Sequence, residues 1–350
     1  MPHHDNPDGF KLQFSSDNTA GICPEALAAF NAANRGFVPS YGNDDHTLAV
    51  CDRLRAVFET DCEVFFVFNG TAANSLALAA LCQSYQGVIC TDTAHVATDE
   101  CGAPEFFSNG SKLLLSPHRH GKLTALGVRE VITRRSDIHY PRPRAITLTQ
   151  STELGTVYQI GEVAGLTRLA REYGLKSHMD GARFTNAVAS LGCTPADITW
   201  RAGIDVLCFG GTKLGLPLGE AIVFFDRALG EEFAYRCKQA GQLASKMRFL
   251  SAPWLALLEN DTWLRHARHA NAMARKLADR LAAIPGAEML LPTEANGVFV
   301  NLPDPAIAKL RGAGWVFYTF IGGGARFMCS WATQEEAVEA LAHDMAQALA

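Results

Sequence analysis

Residues 206–215 read Val206-Leu207-Cys208-Phe209-Gly210-Gly211-Thr212-Lys213-Leu214-Gly215. The apolar half predicts a buried β-strand, and the glycines predict a tight loop where that strand ends. Burying the ammonium group of a lysine at the end of such a strand costs free energy, unless the group is paired or becomes neutral. A neutral lysine is a nucleophile. An ordinary surface lysine beside a turn would have the same local sequence. Lys213 is therefore a candidate nucleophile that needs support from elsewhere in the chain.

A second strand end, 33 positions before Lys213, has an aspartate. It reads His178-Met179-Asp180-Gly181-Ala182-Arg183 and follows an apolar run that starts at Leu175. A lysine and an aspartate at two strand ends suit the two ends of pyridoxal 5'-phosphate (PLP), because the lysine forms the Schiff base and the aspartate holds the protonated pyridine nitrogen. The pair therefore predicts PLP as the cofactor.

The rest of the chain predicts an α/β fold followed by a smaller α+β part. Strand-like runs at 62–68, 87–90, 112–115, 145–149, 175–179, 206–209 and 221–225 alternate with helical patterns such as 126–135, 161–173 and 186–191. This alternation predicts a mostly parallel sheet with ligands at the carboxyl ends of its strands. After about residue 255, a long amphipathic helix (261–284), four short β-like pieces and a final helix (334–349) follow. We expect an N-terminal arm over 1–30, a large domain over 31–255 and a small domain over 256–350.

Composition argues against several classes of partner. The chain has 350 residues, 19% of them charged, and a net charge of −5. Neither value suggests a nucleic-acid or membrane-surface partner. No apolar run approaches membrane-spanning length, and residues 1–9 lack the apolar core of a signal peptide. The ten cysteines contain no Cys-x-x-Cys pair, and several lie in apolar segments. That pattern is typical of reduced thiols and predicts a cytoplasmic protein.

A phosphate site is predicted where the run 62–68 passes into a helix through Asn69-Gly70-Thr71. The free N–H groups and partial positive charge of a helix N-terminus bind phosphate, although the same residues would also serve as a plain N-cap. No Gly-Lys-Ser/Thr loop and no Gly-x-Gly-x-x-Gly after a first strand is present, so ATP and NAD are disfavoured as cofactors.

Further candidates are weaker when taken singly. His95 follows the strand-like run 87–90 and could stack on a cofactor ring and exchange protons, or be an ordinary loop histidine. Arg183 and Arg326 suit a substrate carboxylate, or are surface charges. The pairs His118-x-His120 and His266-x-x-His269 have no other ligand type near them in sequence. We therefore expect solvated histidines there and no metal site.

Five segments resemble the low-specificity L-threonine aldolase family in their order along the chain, from about residue 12 to the C-terminus. They are Phe14-Ser15-Ser16-Asp17-Asn18, Val67-Phe68-Asn69-Gly70-Thr71-Ala72-Ala73-Asn74, Ala94-His95, His178-Met179-Asp180-Gly181-Ala182-Arg183 and Gly210-Gly211-Thr212-Lys213. This family is related to phenylserine aldolases and has the PLP-dependent fold type I, which is aspartate aminotransferase-like.

The resemblance implies a role for each matching residue. It places Lys213 on PLP, Asp180 at the pyridine nitrogen and His95 on the ring face. The other cofactor contacts that it implies are Gly70, Thr71, Ala72, Arg183 and Thr212, and the implied contacts to the substrate carboxylate are Ser16, Arg183 and Arg326. It also implies a homotetramer with active sites at dimer interfaces, in which a basic residue of 236–248 reaches a neighbour's phosphate.

One position departs from the family pattern. Where many relatives have Glu-Asn-Thr-His-Asn-Gly, this chain reads Gln150-Ser151-Thr152-Glu153-Leu154-Gly155. Glu153 thus replaces a second active-site histidine, so the catalytic base is His95, Glu153 or a water molecule.

The activity that the resemblance implies is the reversible cleavage of L-threonine, L-allo-threonine and related β-hydroxy-α-amino acids such as phenylserine into glycine and an aldehyde. Two alternatives stay open from the residues alone. One is another fold type I enzyme, such as a β-eliminating lyase or an aminotransferase, and the other is a cofactor-free binding protein that keeps the fold.

Overall fold

The structure is a computed structural model, and it describes residues 13–320 and 324–350. Residues 1–12 of the predicted N-terminal arm lie outside the described residues. Among the helices that are described, none is both long and apolar enough to cross a bilayer. Each of the ten cysteines is a free thiol.

The larger sheet has seven strands in the order β1-β7-β6-β5-β4-β2-β3. Strand β7 is antiparallel to both of its neighbours, and the other pairs are parallel. The strands are β1 (Glu63–Val67), β2 (Gln86–Thr91), β3 (Lys112–Ser116), β4 (Arg142–Thr149), β5 (Lys176–Gly181), β6 (Val206–Phe209) and β7 (Glu220–Phe224). The mostly parallel α/β sheet predicted from the sequence is confirmed.

A smaller antiparallel sheet follows in the order β10-β11-β9-β8. Its strands are β8 (Glu288–Met289), β9 (Gly297–Asn301), β10 (Tyr318–Thr319) and β11 (Gly324–Met328). Each of the four overlaps one of the short β-like pieces expected after residue 255.

Helices cover both faces of the larger sheet. In chain order the helices of the described residues are α1 (Pro24–Ala33), α2 (Asp45–Phe58), α3 (Gly70–Leu81), α4 (His95–Thr98), α5 (Ala103–Phe107), α6 (Ala125–Thr133), α7 (Ile160–Glu172), α8 (Phe184–Leu191), α9 (Phe233–Gln239), α10 (Arg248–Leu258), α11 (Thr262–Ala282), α12 (Asp304–Gly312) and α13 (Glu335–Leu349). The last two, α12 and α13, pack on the smaller sheet. In β6, Leu207 and Phe209 join the core beneath α7, α8 and α10, whereas Val206 and Cys208 join the core beneath α3 and α9. Alternate residues thus pack on opposite faces, as in a sheet buried on both sides.

Helix α11 contributes to two hydrophobic cores. Its first half packs Trp263 and Ala267 into the core of the larger sheet. Its second half packs Ala274, Leu277 and Leu281 against the smaller sheet. Phe14 also belongs to the second core, although it lies near the start of the chain. The predicted domain boundaries at residues 30 and 255 stay a prediction, because α1 and α10 each continue across one of them.

Candidate active site

A cavity of about 210 Å³ lies at the carboxyl ends of β5 and β6, beside the start of α3. Its lining residues are Asn18, Asn69, Gly70, Thr71, Ala73, Asn74, His95, Asp180, Ala182, Cys208, Gly210, Thr212, Lys213 and Glu220. Six of the residues proposed from the sequence therefore share one cavity. They are Gly70, Thr71, His95, Asp180, Thr212 and Lys213.

The pairing of β5 with β6 brings Asp180 and Lys213 to the same edge of the sheet. Asp180 pairs with Cys208, and the Gly210 N–H donates to the carbonyl of Gly181 at 3.0 Å. A Cβ on Gly210 would lie 2.5 Å from the carbonyl oxygen of Ala182. Because a side chain cannot fit there, only glycine lets the chain leave β6 in this direction.

The Asp180 carboxylate is held in one orientation. Its Oδ2 accepts from Asn74 Nδ2 at 3.0 Å, and its Oδ1 accepts from the Ala182 N–H at 3.1 Å. The residue is buried. A carboxylate fixed in this way suits a protonated pyridine nitrogen, which needs one acceptor at a defined place.

The turn with Lys213 is held by Glu220 of the neighbouring strand β7. Glu220 accepts from the Gly211 N–H at 2.5 Å and from Thr212 Oγ1 at 2.8 Å. Burial raises the pKa of Glu220. The sequence signal for this residue was a single carboxylate at the start of a wholly buried apolar strand, which is unusual unless its oxygens have partners.

His95 is the first residue of α4, and a buried glutamate holds its ring. His95 Nδ1 and Glu100 Oε1 are 2.8 Å apart, and the same oxygen accepts from Asn74 Nδ2 at 2.8 Å. The hydrogen bond with Glu100 raises the pKa of His95 despite partial burial. Because Nδ1 is occupied by Glu100, Nε2 is the nitrogen of His95 that can exchange a proton with a ligand.

The start of α3 offers donors to an anion. The Ala72 N–H is used by the Asn69 side chain at 2.9 Å, and the Ala73 N–H by the Asn69 carbonyl at 3.1 Å. Within the described residues this leaves the N–H groups of Gly70 and Thr71 for a bound phosphate. Ala72, which was expected among the cofactor contacts, does not line the cavity.

A group of charged residues lies outside the lining of this cavity. Arg183 is buried and donates from Nε and Nη2 to Asp17 at 2.7 and 2.9 Å. Asp17 also accepts from Asn296 at 3.0 Å. Burial would raise the pKa of Asp17, but the charges of Arg183 and Lys213 and the hydrogen bonds lower it to about 2. Arg183 is thus anchored by a carboxylate that the sequence analysis did not assign.

Arg326 and Glu153 complete this charged group. The Arg326 Nη2 donates to the Ser15 carbonyl at 3.2 Å, and its Nε is buried without a hydrogen-bond partner among the described residues. Burial lowers the pKa of Arg326, and the nearby charge of Arg183 lowers it further. Glu153 is half-buried, and its charge contributes to the electrostatic environment of both arginines and of His95. The Ser16 hydroxyl accepts from the Asn18 N–H at 3.1 Å, next to the cavity.

The residues present fit PLP. The cavity has an amine on Lys213, an oriented carboxylate on Asp180, and two helix-terminal N–H groups from Gly70 and Thr71. These are an amine for the cofactor aldehyde, an acceptor for the ring nitrogen and donors for the phosphate. The orphaned Arg326 Nε is a further donor that a carboxylate ligand would satisfy.

The fold and the site define a PLP-dependent enzyme of fold type I. The chain belongs to the beta-eliminating lyase family, whose model matches residues 13–304, and to the threonine aldolases. It is 63% identical over 334 residues to a low specificity L-threonine aldolase of Pseudomonas sp. (strain NCIMB 10558), covering 95% of this chain and 96% of that protein. The predicted cofactor and the assignment to the lyases are thus confirmed.

Solved structures agree with this assignment. The structure of Leishmania major threonine aldolase superimposes with a TM-score of 0.90 at 28% identity, covering 97% of this chain and 100% of that one. Aspartate aminotransferase from Thermus thermophilus gives a TM-score of 0.71 at 17% identity, covering 97% and 91%. The latter shows the fold alone and confirms the expected aspartate aminotransferase-like architecture.

Proposed function

We propose that this enzyme cleaves the Cα–Cβ bond of β-hydroxy-α-amino acids, giving glycine and an aldehyde, and that it also runs in reverse. L-Threonine, L-allo-threonine and phenylserine are the substrates to which we assign it. The observation that carries this proposal is the single cavity that joins Lys213 and Asp180. Arg183 and Arg326 bind Asp17 and Ser15, in the same segment as Asn18 of the cavity lining. The name of the 63%-identical relative, a low specificity L-threonine aldolase, supports the substrate class.

In this proposal the protein orients the cofactor at three points. Asp180 would accept from the protonated ring nitrogen, the N–H groups of Gly70 and Thr71 would donate to the phosphate, and Lys213 would hold the aldehyde end. When bound, PLP supplies an electrophilic carbon for the amino group and a ring that accepts the electron pair of the broken bond. Glu220 keeps the Lys213 turn in place through Gly211 and Thr212.

The substrate carboxylate is assigned to Arg326 and Arg183. Arg326 has the unpartnered buried Nε, and Arg183 is held rigid by its two bonds to Asp17. Two guanidinium groups close together make an anion at this place favourable. Fixing the carboxylate fixes the rotation about the bond from Cα to the amino nitrogen, which decides which substituent of Cα is cleaved.

The proton of the β-hydroxyl group is assigned to His95 Nε2 or to Glu153. His95 lines the cavity, whereas Glu153 is half-buried and its charge acts on His95 and on the two arginines. Either group can accept the proton, since His95 has one nitrogen free of Glu100 and Glu153 is a carboxylate.

The Lys213→Ala variant tests the assignment. We expect loss of the visible absorption of the bound cofactor and of glycine release from threonine and phenylserine, because no other amine lines the described cavity. Glycine and aldehyde are measured together with ammonia and keto acid, so that a β-eliminating lyase or an aminotransferase would be recognised. Full activity in Lys213→Ala, or ammonia as the main product of the unmodified enzyme, contradicts the proposal.

We also propose a cytoplasmic homotetramer with active sites at dimer interfaces. Phe37 and Tyr235 are large and exposed in the single chain, as residues at subunit contacts are. Arg248, within the basic stretch 236–248, has a buried Nε without a partner in the described part of the chain, and suits a neighbour's phosphate. Light scattering is expected to give four chains per particle, and a monomer would contradict the proposal.

The ten free thiols support the proposed cytoplasmic location, which fractionation of the producing cells would test.

A further inference from the structure

Three side chains with metal-ligand chemistry meet on a face that the cofactor cavity does not include. Cys23 precedes α1, Glu25 lies in its first turn, and His266 lies in α11. One ligand atom from each lies within 4.8 Å of the other two, and Glu25 Oε2 is 4.0 Å from His266 Nε2. More than 200 positions separate the helices, so sequence spacing gave no sign of this group. The expected solvated histidine at residue 266 is instead largely buried, with only 13% of its side chain exposed.

His266 is oriented as metal-binding histidines usually are. Its Nδ1–H donates to the backbone carbonyl of Leu214 at 2.9 Å, and its ring stacks on Trp331 with 5.5 Å between ring centroids. The lone pair of Nε2 therefore faces Glu25. Donation of the second ring nitrogen to a carbonyl is what fixes the tautomer of most histidine ligands.

The other two ligand atoms differ in mobility. The Cys23 N–H donates to the Gly215 carbonyl at 2.9 Å and the residue is fully buried, so its side chain has little room to move. Gly215 has φ +110, and a Cβ there would lie 3.2 Å from that Sγ. Glu25 is partly exposed, and one of its oxygens, Oε1, accepts from Arg265 at 3.1 Å. The second oxygen, Oε2, lies 4.0 Å from His266 Nε2 on a side chain that is partly exposed and can turn toward the cysteine.

We propose that Cys23, Glu25 and His266 bind a thiophilic divalent cation of the Zn²⁺ class, with its fourth coordination position open to solvent. Sulfur, imidazole nitrogen and carboxylate oxygen are the ligands that zinc takes at about 2.0–2.3 Å. Binding forms a metal–sulfur bond as the thiol proton leaves to water, so no oxidant or reductant is needed. The three ligand atoms lie within 4.8 Å of one another, so a small inward movement of the side chains would bring them around one cation.

The site is connected to the Lys213 turn. Cys23 and His266 donate to the carbonyls of Gly215 and Leu214, the two residues that follow Lys213. A bound cation would therefore join α1, α11 and that turn, and we expect the thermal midpoint of the enzyme to rise with cation concentration.

The test uses PLP-loaded enzyme and Co²⁺ as a spectroscopic substitute for zinc. We expect one Co²⁺ per chain, a thiolate-to-cobalt charge-transfer band in the difference spectrum, and displacement by Zn²⁺. Cys23→Ser and His266→Gln are expected to lose that band. Matched controls are Cys101→Ser, at an exposed thiol, and His269→Gln, one turn along the same helix; both are expected to keep it.

Two results would overturn the proposal. One is the absence of a stoichiometric cobalt complex in the unmodified enzyme, and the other is an unchanged spectrum in Cys23→Ser. Should Cys23→Ser fail to fold, Glu25→Gln decides, because that side chain is partly exposed and we expect the variant to fold. Its affinity for Co²⁺ is expected to fall roughly tenfold or more, and unchanged affinity rejects the site.

Discussion

At the scale of single residues, Glu100 supports the side chains of the cavity, although no sequence motif predicted it. It is buried, and one of its oxygens is shared by His95 and Asn74. The amide of Asn74 also donates to Asp180, so it lies between two carboxylates that would otherwise repel each other. A change at Glu100 therefore acts on the ring of His95 and, through Asn74, on the orientation of Asp180.

Glu100→Gln keeps an oxygen acceptor for His95 but removes the charge. Since the hydrogen bond with Glu100 raises the pKa of His95, we expect that pKa to fall in the variant and the acidic limb of the kcat profile to move to lower pH. The same shift affects the stability of the fold. Because the pKa of His95 is raised in the folded state, His95 stabilises the fold fully at pH values below the ordinary histidine pKa of about 6.5. This contribution is lost as the pH rises through the folded-state pKa.

The matched comparisons for this variant are Asp99→Asn, at an exposed neighbour, and Glu153→Gln. Asp99→Asn is expected to leave the profile in place. If the acidic limb of the kcat profile moves only in Glu153→Gln, Glu153 is the group that takes the proton. That result would contradict the role of His95. The rates are measured with threonine at saturating PLP.

Glu100 and Glu220 also show why part of the site could not be predicted. Lys213, Asp180, His95 and Gly70 were predicted because strand ends of a parallel sheet meet at one edge. The two glutamates matter only through partners from other elements. Their partners follow from tertiary packing, which no local pattern contains.

At the scale of elements, the junction of β5 and β6 requires glycine at residue 210. We expect Gly210→Ala to destabilise the fold by about 1–3 kcal/mol, because its Cβ would lie 2.5 Å from the Ala182 carbonyl oxygen. PLP affinity is expected to fall as well, since the same shift separates Lys213 from Asp180. Urea unfolding and PLP titration measure the two effects.

The control is Gly165→Ala in the middle of α7, where a Cβ meets nothing within 4 Å. Helix propensity there favours alanine by roughly 1 kcal/mol. If Gly210→Ala proved as stable as Gly165→Ala and bound PLP equally well, the steric argument would be wrong.

The elements that were predicted are those with strong local patterns. All seven strands of the larger sheet overlap predicted runs, because short apolar stretches bounded by turns have few alternatives. Helix α10 was not predicted. It contains Pro253, which normally ends a helix, and it is held by the packing of Trp254 and Leu257 in the larger core.

At the scale of the whole molecule, Asp17 joins three distant parts of the chain. It lies in the N-terminal segment, accepts from Arg183 at the start of α8, and accepts from Asn296 just before β9. Both members of the ion pair are buried. The sequence contained Asp17 in a motif, but its partners are more than 160 positions away and could not be read from spacing.

Asp17→Asn is expected to destabilise the enzyme by about 3–5 kcal/mol, because it leaves the Arg183 charge buried without its counter-ion. Denaturant unfolding of the PLP-loaded enzyme measures this loss. In the unmodified enzyme the contribution is fully present above pH 4 or so, the ordinary range of an aspartate, and is lost as pH falls through about 2. Asp197→Asn, in the exposed pair with Arg201, is the control and should barely change the midpoint. Equal effects of the two substitutions would contradict the role of Asp17.

The register of β5 against β6 has a consequence for engineering. The distance between Asp180 and Lys213 is set by strand pairing, whereas the 32 residues between them in sequence only return the chain from one strand to the next. Gly192 and Thr194, after α8, are exposed and do not line the cavity. A tag or a fluorescent reporter inserted there would lengthen the path along the backbone and leave the two groups equally close.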